Sequence, residues 1–254
     1  MKKNILYLVL FFLSFQLKAV PADKFGYKIG KEDVFLFTQG NIYLVQPVSI
    51  TSGGKMMYFA AKDFTANRDL LVQKLKEAKA VVDEKDRKVI DAKFSVGSRK
   101  KIYSDYQLEL FLEIRKEFPF LAIYSKFKYL GKGTHTCGIN WAVDSAYERF
   151  KYYTIPKKGK LLTYKLKKTR RTKIGQANWI YVHSGKGEGA GLIAPAVILG
   201  KGKDFIFINS VPPKKKLKKG ESIDVFMIFM PINKNFKILP ELYEKVKVIK
   251  WEYK

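Results

Sequence analysis

One cysteine in 254 residues, Cys137, leaves no partner for an internal disulfide, so stability has to come from packing. A single thiol of this kind reads first as a small buried apolar group and only second as a reactive one. Histidine is almost as scarce. Only His135 and His183 occur, neither has a second ligand at His-x-His or His-x₃-His spacing, and no metal or other cofactor is expected. There is no Gly-x-Ser-x-Gly elbow for a hydrolase nucleophile and no signature of a nucleic-acid-binding fold. No apolar run approaches the roughly 20 residues of a bilayer span. No fixed-period repeat is visible, and no linker divides the chain. Acid is short too: 23 Asp+Glu face 49 Lys+Arg.

What the chain does carry begins at its start. Met1-Lys2-Lys3, the apolar run Ile5 to Phe15 and the small residues around Ala19 and Ala22 read as a secretory signal peptide over residues 1–22, with cleavage after either alanine. No cysteine lies at the cut, so a lipid anchor is not expected. The expectation is a soluble bacterial protein, periplasmic or secreted, in which residues 23–254 form one domain. Removing Lys2, Lys3 and Lys18 leaves 46 basic against 23 acidic side chains, a net charge of +23. Such a field attracts acidic polysaccharide, lipopolysaccharide or teichoic phosphate, or extracellular nucleic acid. The competing reading is the coding bias of an AT-rich genome, although that bias alone raises Glu together with Lys.

Period-two alternation dominates. Over Asp105–Lys116, Tyr106, Leu108, Leu110, Leu112 and Ile114 alternate with Gln107, Glu109, Glu113 and Arg115, and only Phe111 breaks the polar side. Pro119 is expected to interrupt pairing before a second long strand, Phe120–Leu130. Further strands are expected at Asp33–Thr38, Ile42–Ile50, Lys55–Ala61, Arg87–Val96, Gly138–Tyr147, Lys160–Leu166, Ala177–His183, Ala190–Ala194, Asp204–Ile208 and Ser222–Met230. Phe205–Ile208 and Val225–Met230 are apolar on both faces, as in central strands covered from both sides. Ala66–Ala80 is the helical candidate, with Leu71, Leu75, Ala78 and Val82 on one face, although its second half also reads as a strand. Tyr243–Tyr253 reads as a lysine-guarded edge strand. The fold class is all-β: a large antiparallel sandwich with at most one or two short helices.

Several of these stretches resemble a known fold. Leu110-Phe111-Leu112-Glu113-Ile114 leads through Phe118-Pro119-Phe120 into Ile123-Tyr124. Gly138-Ile139-Asn140-Trp141 follows, then Trp179-Ile180-Tyr181-Val182 with Gly189-Ala190-Gly191-Leu192-Ile193. Last comes Leu217-Lys218-Lys219-Gly220-Glu221-Ser222 before Val225–Pro231. In this order they resemble the β-supersandwich of galactose-mutarotase-like domains, common in carbohydrate-active proteins, over roughly half the chain. The resemblance implies the fold. The histidine motifs and late glutamate of the mutarotases have no match here, so it transfers no catalytic residue.

The site candidates follow from composition and spacing. Trp179, Tyr181 and His183 recur at period two and project from one sheet face, the lining of a sugar site or a core face with a polar end. Either histidine could act as a general base or cap a strand end; of the two, His183 has the aromatic neighbours. Lys151–Lys173 holds ten Lys/Arg and no acid, with Tyr152, Tyr153 and Tyr164 interleaved. Gly185-Lys186-Gly187-Glu188-Gly189 is a hairpin turn, not a phosphate loop, because a strand-like segment follows it. Counting turns along an antiparallel path puts Lys157, Lys158, Lys186, Lys214, Lys215 and Lys216 on one rim.

Taken together, these features lead to a non-catalytic, exported β-sandwich that binds an anionic polysaccharide or cell-envelope polymer. Trp179, Tyr181, His183, Trp141 and Tyr152 would supply the ring contacts, and the rim lysines the charge. Polysaccharide lyase or sugar epimerase is the enzyme alternative, with His183, Tyr153 and Arg149 as candidates. A structural envelope-associated protein is the other. Ligand identity and oligomeric state are not legible.

Overall fold

The computed structural model describes residues 24–29, 33–38, 41–46, 57–84, 87–98, 100–115, 118–146, 151–166, 171–173, 178–185, 189–194, 197–201, 205–232 and 244. The signal segment and, apart from Glu244, the expected strand Tyr243–Tyr253 lie outside the described residues. Among the described residues eighteen strands are present, and every pairing among them is antiparallel. Among the described residues no helix is long and apolar enough to cross a membrane.

In chain order the first strands are β1 (Lys24–Ile29), β2 (Asp33–Thr38), β3 (Asn41–Gln46), β4 (Met57–Asp63), β5 (Arg68–Asp83) and β6 (Arg87–Ser98). The long pair β7 (Lys101–Arg115) and β8 (Phe118–Tyr129) follows, then β9 (Thr134–Ala146), β10 (Tyr152–Lys157), β11 (Lys160–Lys165) and β12 (Arg171–Lys173). The last are β13 (Trp179–His183), β14 (Gly189–Ile193), β15 (Val197–Lys201), β16 (Phe205–Ser210), β17 (Lys215–Lys218) and β18 (Ser222–Ile232).

The pairings define two layers. In the first, β1-β2-β3-β4-β9 are successive neighbours; the far edge of β9 holds β17 at its start and β16 at its end, and β15 and β12 continue outward. The second runs β5-β6-β7-β8-β18-β14-β13-β10-β11. The β4–β5 hairpin joins them through the pairs Ala60↔Leu71 to Asp63↔Arg68. The inward side chains of both layers make one core. Phe59 of the first layer meets Phe127 of the second with ring centroids 5.8 Å apart, and Trp141 Nε1 donates to Ser125 Oγ across the layers at 3.0 Å. A buried indole N–H without that partner would lose a hydrogen bond to water and gain none.

The all-β expectation holds, with one local correction. The segment read as a helix at Ala66–Ala80 is the 16-residue strand β5. Its ladder with β6 shifts register between Val72 and Leu75, Leu75 and Glu77, and Ala80 and Val82. Each bulge inserts a residue, so the inward positions are Leu70, Val72, Leu75 and Ala78, and the spacing mimics a helix. Pro119 does break pairing: the register jumps from Ile114↔Leu121 to Arg115↔Phe118.

Candidate functional site

The end of β4 organises a densely bonded polar cluster. Asp63 is fully buried where the chain turns into β5. Its Oδ1 accepts the backbone N–H of Thr65 at 2.9 Å and of Ala66 at 3.1 Å, closing an Asx turn that Asn67 completes at φ 49°. Its Oδ2 accepts the Tyr106 hydroxyl from the facing layer and His135 Nδ1 at 2.6 Å. Strand register places the histidine: Asp63 pairs with Cys137, and His135 lies two residues further along the same face of β9.

Burial alone would push the Asp63 carboxyl up. Hydrogen bonds from Tyr106, His135 and Ala66 outweigh it and hold the group below the usual carboxylate range. Burial, then the hydrogen bond to Asp63 and the Asp63 charge, push the Tyr106 hydroxyl far above its ordinary value. Asp63 is therefore an anion with four donors, and an anion only accepts. His135 must carry a proton on Nδ1, which in the neutral ring leaves the lone pair on Nε2; the side chain is 21% exposed. The Tyr129 ring lies against this imidazole, tilted by 31° with centroids 4.6 Å apart, and its own hydroxyl donates to the Lys132 carbonyl at 2.6 Å. A Cβ at Gly131 would sit 2.6 Å from that hydroxyl, which explains the glycine.

The aromatic row behaves differently from its expected role. Trp179, Tyr181 and His183 do share a face, since the alternating Ile180 and Val182 belong to the inter-layer core. That face does not open: the three are 3%, 0% and 4% exposed. Gly185 N–H donates to His183 Nδ1 at 3.2 Å, so the neutral ring bears its proton on Nε2 and donates to Thr154 Oγ1 at 3.0 Å. Both ring nitrogens are used, and burial pushes the imidazole's pKa down. Tyr181 and Tyr152 stack on the ring at 4.8 Å and 5.7 Å. Trp141 is buried between the layers. Tyr153 packs against the core and stacks on Tyr164 at 5.1 Å. These rings were expected to present themselves to a sugar; alternation placed them on one face, but nothing in period two says whether that face is covered. Arg149 and Lys186 lie outside the described residues.

The cations remain on the surface. Lys157, Lys158, Lys214, Lys215 and Lys216 are all exposed. Registers put them at one end of the sandwich, together with the Asp63 turn and Tyr129. Tyr129 neighbours the start of β18, and β18 runs to Ile232, which pairs with Gly189 and so with His183 and Tyr152. The opposite end of β10, Lys157, therefore lies with Tyr129, and Lys215 reaches the same end by pairing with Cys137. His183 and Gly189 are at the far end, and Lys186 between them lies outside the described residues, so five of the six expected rim lysines are placed together. Residues 151–159 contain the strand β10, whose turn into β11 is Lys158-Gly159 with φ of 50° and 73°.

Phe64, absent from the expectations, is 39% exposed at this end. Lys214 Nζ lies 3.6 Å from its ring centroid and Lys62 Nζ 5.9 Å. The nearby acids are engaged: Asp69 with Lys62 at 3.6 Å, Asp105 with Arg68 at 3.7 Å, and Glu221 with the Lys218 N–H at 2.8 Å. This end thus offers an exposed ring, a cationic fringe and one oriented imidazole.

Comparison with known proteins first defines a class of fold. No family model matches the chain, and no curated protein matches it. Solved structures do: the β-supersandwich of galactose-mutarotase-like domains is the fold of this chain. A putative aldose 1-epimerase from Escherichia coli K12 is similar over 84% of this chain and 100% of its own, with 10% identity and a TM-score of 0.51. One from Klebsiella pneumoniae matches 87% of this chain and 84% of its own, at 10% identity and a TM-score of 0.52. The GH36 α-galactosidase AgaA from Geobacillus stearothermophilus matches 84% of this chain at 9% identity and a TM-score of 0.58. This chain spans 41% of that galactosidase.

Proposed function

We propose that this chain is an exported, carbohydrate-related protein that binds an anionic glycan or envelope polymer, without catalysis, at the end carrying Phe64 and the five lysines. The observation that carries this reading is Lys214 Nζ at 3.6 Å over the exposed Phe64 ring. A ring and an ammonium side by side match a sugar's apolar face and its carboxylate or sulfate. The net charge, +26 for the whole chain and +23 without the signal segment, supplies the long-range attraction. The fold is one that aldose 1-epimerases and galactosidases also use, which supports a saccharide partner by analogy. Isothermal titration with a hexauronate tests it, with Phe64→Ala and Lys214→Gln expected to weaken binding about tenfold each. Unchanged affinity in both variants sinks the assignment.

The oriented imidazole favours a second reading, an enzyme that moves a proton on the same polymer. With Nδ1–H held by Asp63, His135 Nε2 has the tautomer of a general base, and it replaces His183 in the lyase or epimerase alternative. Incubation with uronate polymers should then yield an ultraviolet-absorbing unsaturated product, lost in His135→Gln. Absence of product and of epimerised sugar across several polymers removes this reading.

A further inference from the structure

β11 is the last strand of the second layer, and among the described residues only β10 lies alongside it. Its six pairs, from Tyr152↔Lys165 to Lys157↔Lys160, run without a register shift. The parity of this ladder fixes what the far edge presents. Leu166 N–H donates to the Lys151 carbonyl at 2.8 Å, so Tyr164, Leu162 and Lys160 also turn their backbone groups toward β10. Pro156, which has no N–H to give, pairs with Leu161, where that parity asks for no bond. Leu161, Thr163 and Lys165 therefore turn their N–H and C=O groups away from β10, three donors and three acceptors in a row. The side chains agree: Tyr164 and Leu166 pack on the core, whereas Lys160, Leu161, Thr163 and Lys165 are exposed, Leu161 to 44%.

An open edge is normally blunted by bulges, proline or a covering segment. β5, at the other side of the same layer, has three register shifts in its ladder. β11 has none, and no proline. It has lysine instead. Lys160 and Lys165 stand at its two ends, Lys157 and Lys158 are exposed at the hairpin tip, and residues 151–173 contain no acid. Two copies of β11 meeting edge to edge would bring like charges together, so a second copy is disfavoured and an acidic strand is favoured.

We propose that β11 is a strand-addition edge for an extended acidic segment of another protein, which pairs with the backbone of Leu161, Thr163 and Lys165 and sets carboxylates against Lys160 and Lys165. An apolar side chain of the same segment covers Leu161. Exposed ion pairs add little affinity, so the backbone ladder holds the segment, while the lysines select its charge and speed its arrival. The surface meets the Phe64 end only at the hairpin tip, and it calls for no saccharide.

Titrating the full chain with an acidic peptide of about ten alternating Glu and Val residues tests it. Binding should slow amide exchange at Leu161, Thr163 and Lys165 and leave Leu162 and Tyr164, already bonded to β10, unchanged. Two further peptides of the same charge, N-methylated on the odd or on the even residues, lose the donors of one edge each. One of the two should bind about tenfold more weakly than the other. Thr163→Pro removes an outward N–H and spares the β10 ladder, and it should weaken the parent peptide about as much. No peptide binding, or equal affinity for the two methylated peptides, overturns the proposal. So does a Lys160→Gln, Lys165→Gln variant that loses hexauronate binding while Thr163→Pro leaves the peptide unaffected, because the lysines then serve a polyanion by charge alone.

Discussion

His135 of β9 and Asp63 of β4 are 72 residues apart in sequence and 2.6 Å apart between Nδ1 and Oδ2. The same carboxylate oxygen takes the Tyr106 hydroxyl from the opposite layer, so the contact clasps the two sheets at one end. The stability consequence has a definite sign. The folded Asp63 carboxyl titrates below its unfolded value of about 3.9, so its contribution is complete above that pH and is lost as pH falls through the folded value. Asp63→Asn should destabilise the protein by about 2–3 kcal/mol at neutral pH, the worth of its charge-assisted bonds. Urea unfolding from pH 7 down to about 2.5 should show that gap closing with acid. A gap that stays constant across the range would contradict an ionised, hydrogen-bonded Asp63.

Trp179 was read as a binding ring and is instead 3% exposed. Trp179→Ala should therefore cost about 3–5 kcal/mol of folding stability through the cavity it leaves. Chemical denaturation measures this directly. A variant of wild-type stability with reduced glycan affinity would restore the expected role.

His183 makes its contribution as a neutral group. Its folded pKa is depressed by burial, so the contribution is complete above the unfolded value of about 6.5 and is lost as pH falls below it. Between pH 7 and 5 the unfolding midpoint of the wild type should drop more steeply than that of His183→Gln. Parallel slopes would show that the imidazole titrates normally.

How far the fold was legible depended on period two. Asp33–Thr38 matches β2 residue for residue, and the long alternation at Asp105–Lys116 became β7 because Tyr106, Leu108, Leu110 and Leu112 all face the core. Where bulges break the period, as in β5, the pattern imitates a helix and pattern reasoning fails. The candidate site was harder to see. Nothing local links Asp63 to Tyr106, 43 residues away, or to His135; only the β4–β9 register and the facing of the layers bring them together. The lysines were visible from composition, but the end each occupies depends on the strand count, and it is β10 that carries Lys157 and Lys158 to the end shared with Tyr129.

Cys137 fits its expected description as a buried thiol. It is fully buried, and burial pushes its pKa to about 12, with the Asp63 charge contributing. In native protein at pH 8 it should react with a disulfide reagent at least a hundredfold more slowly than in denaturant, because both thiolate fraction and access are lost. Reaction at the unfolded rate would mean that the β9 end opens readily.

The lysine rim is the part of the account that function depends on most. Titrating a hexauronate into the wild type and into a Lys214→Gln, Lys215→Gln, Lys216→Gln triple variant at about 0.05 and 0.5 M salt compares their electrostatic terms directly. Wild-type affinity should fall by about tenfold or more with salt, and the triple variant should bind weakly with a flattened dependence. Equal affinity at both salt concentrations, or an unaltered salt slope in the triple variant, would contradict the account.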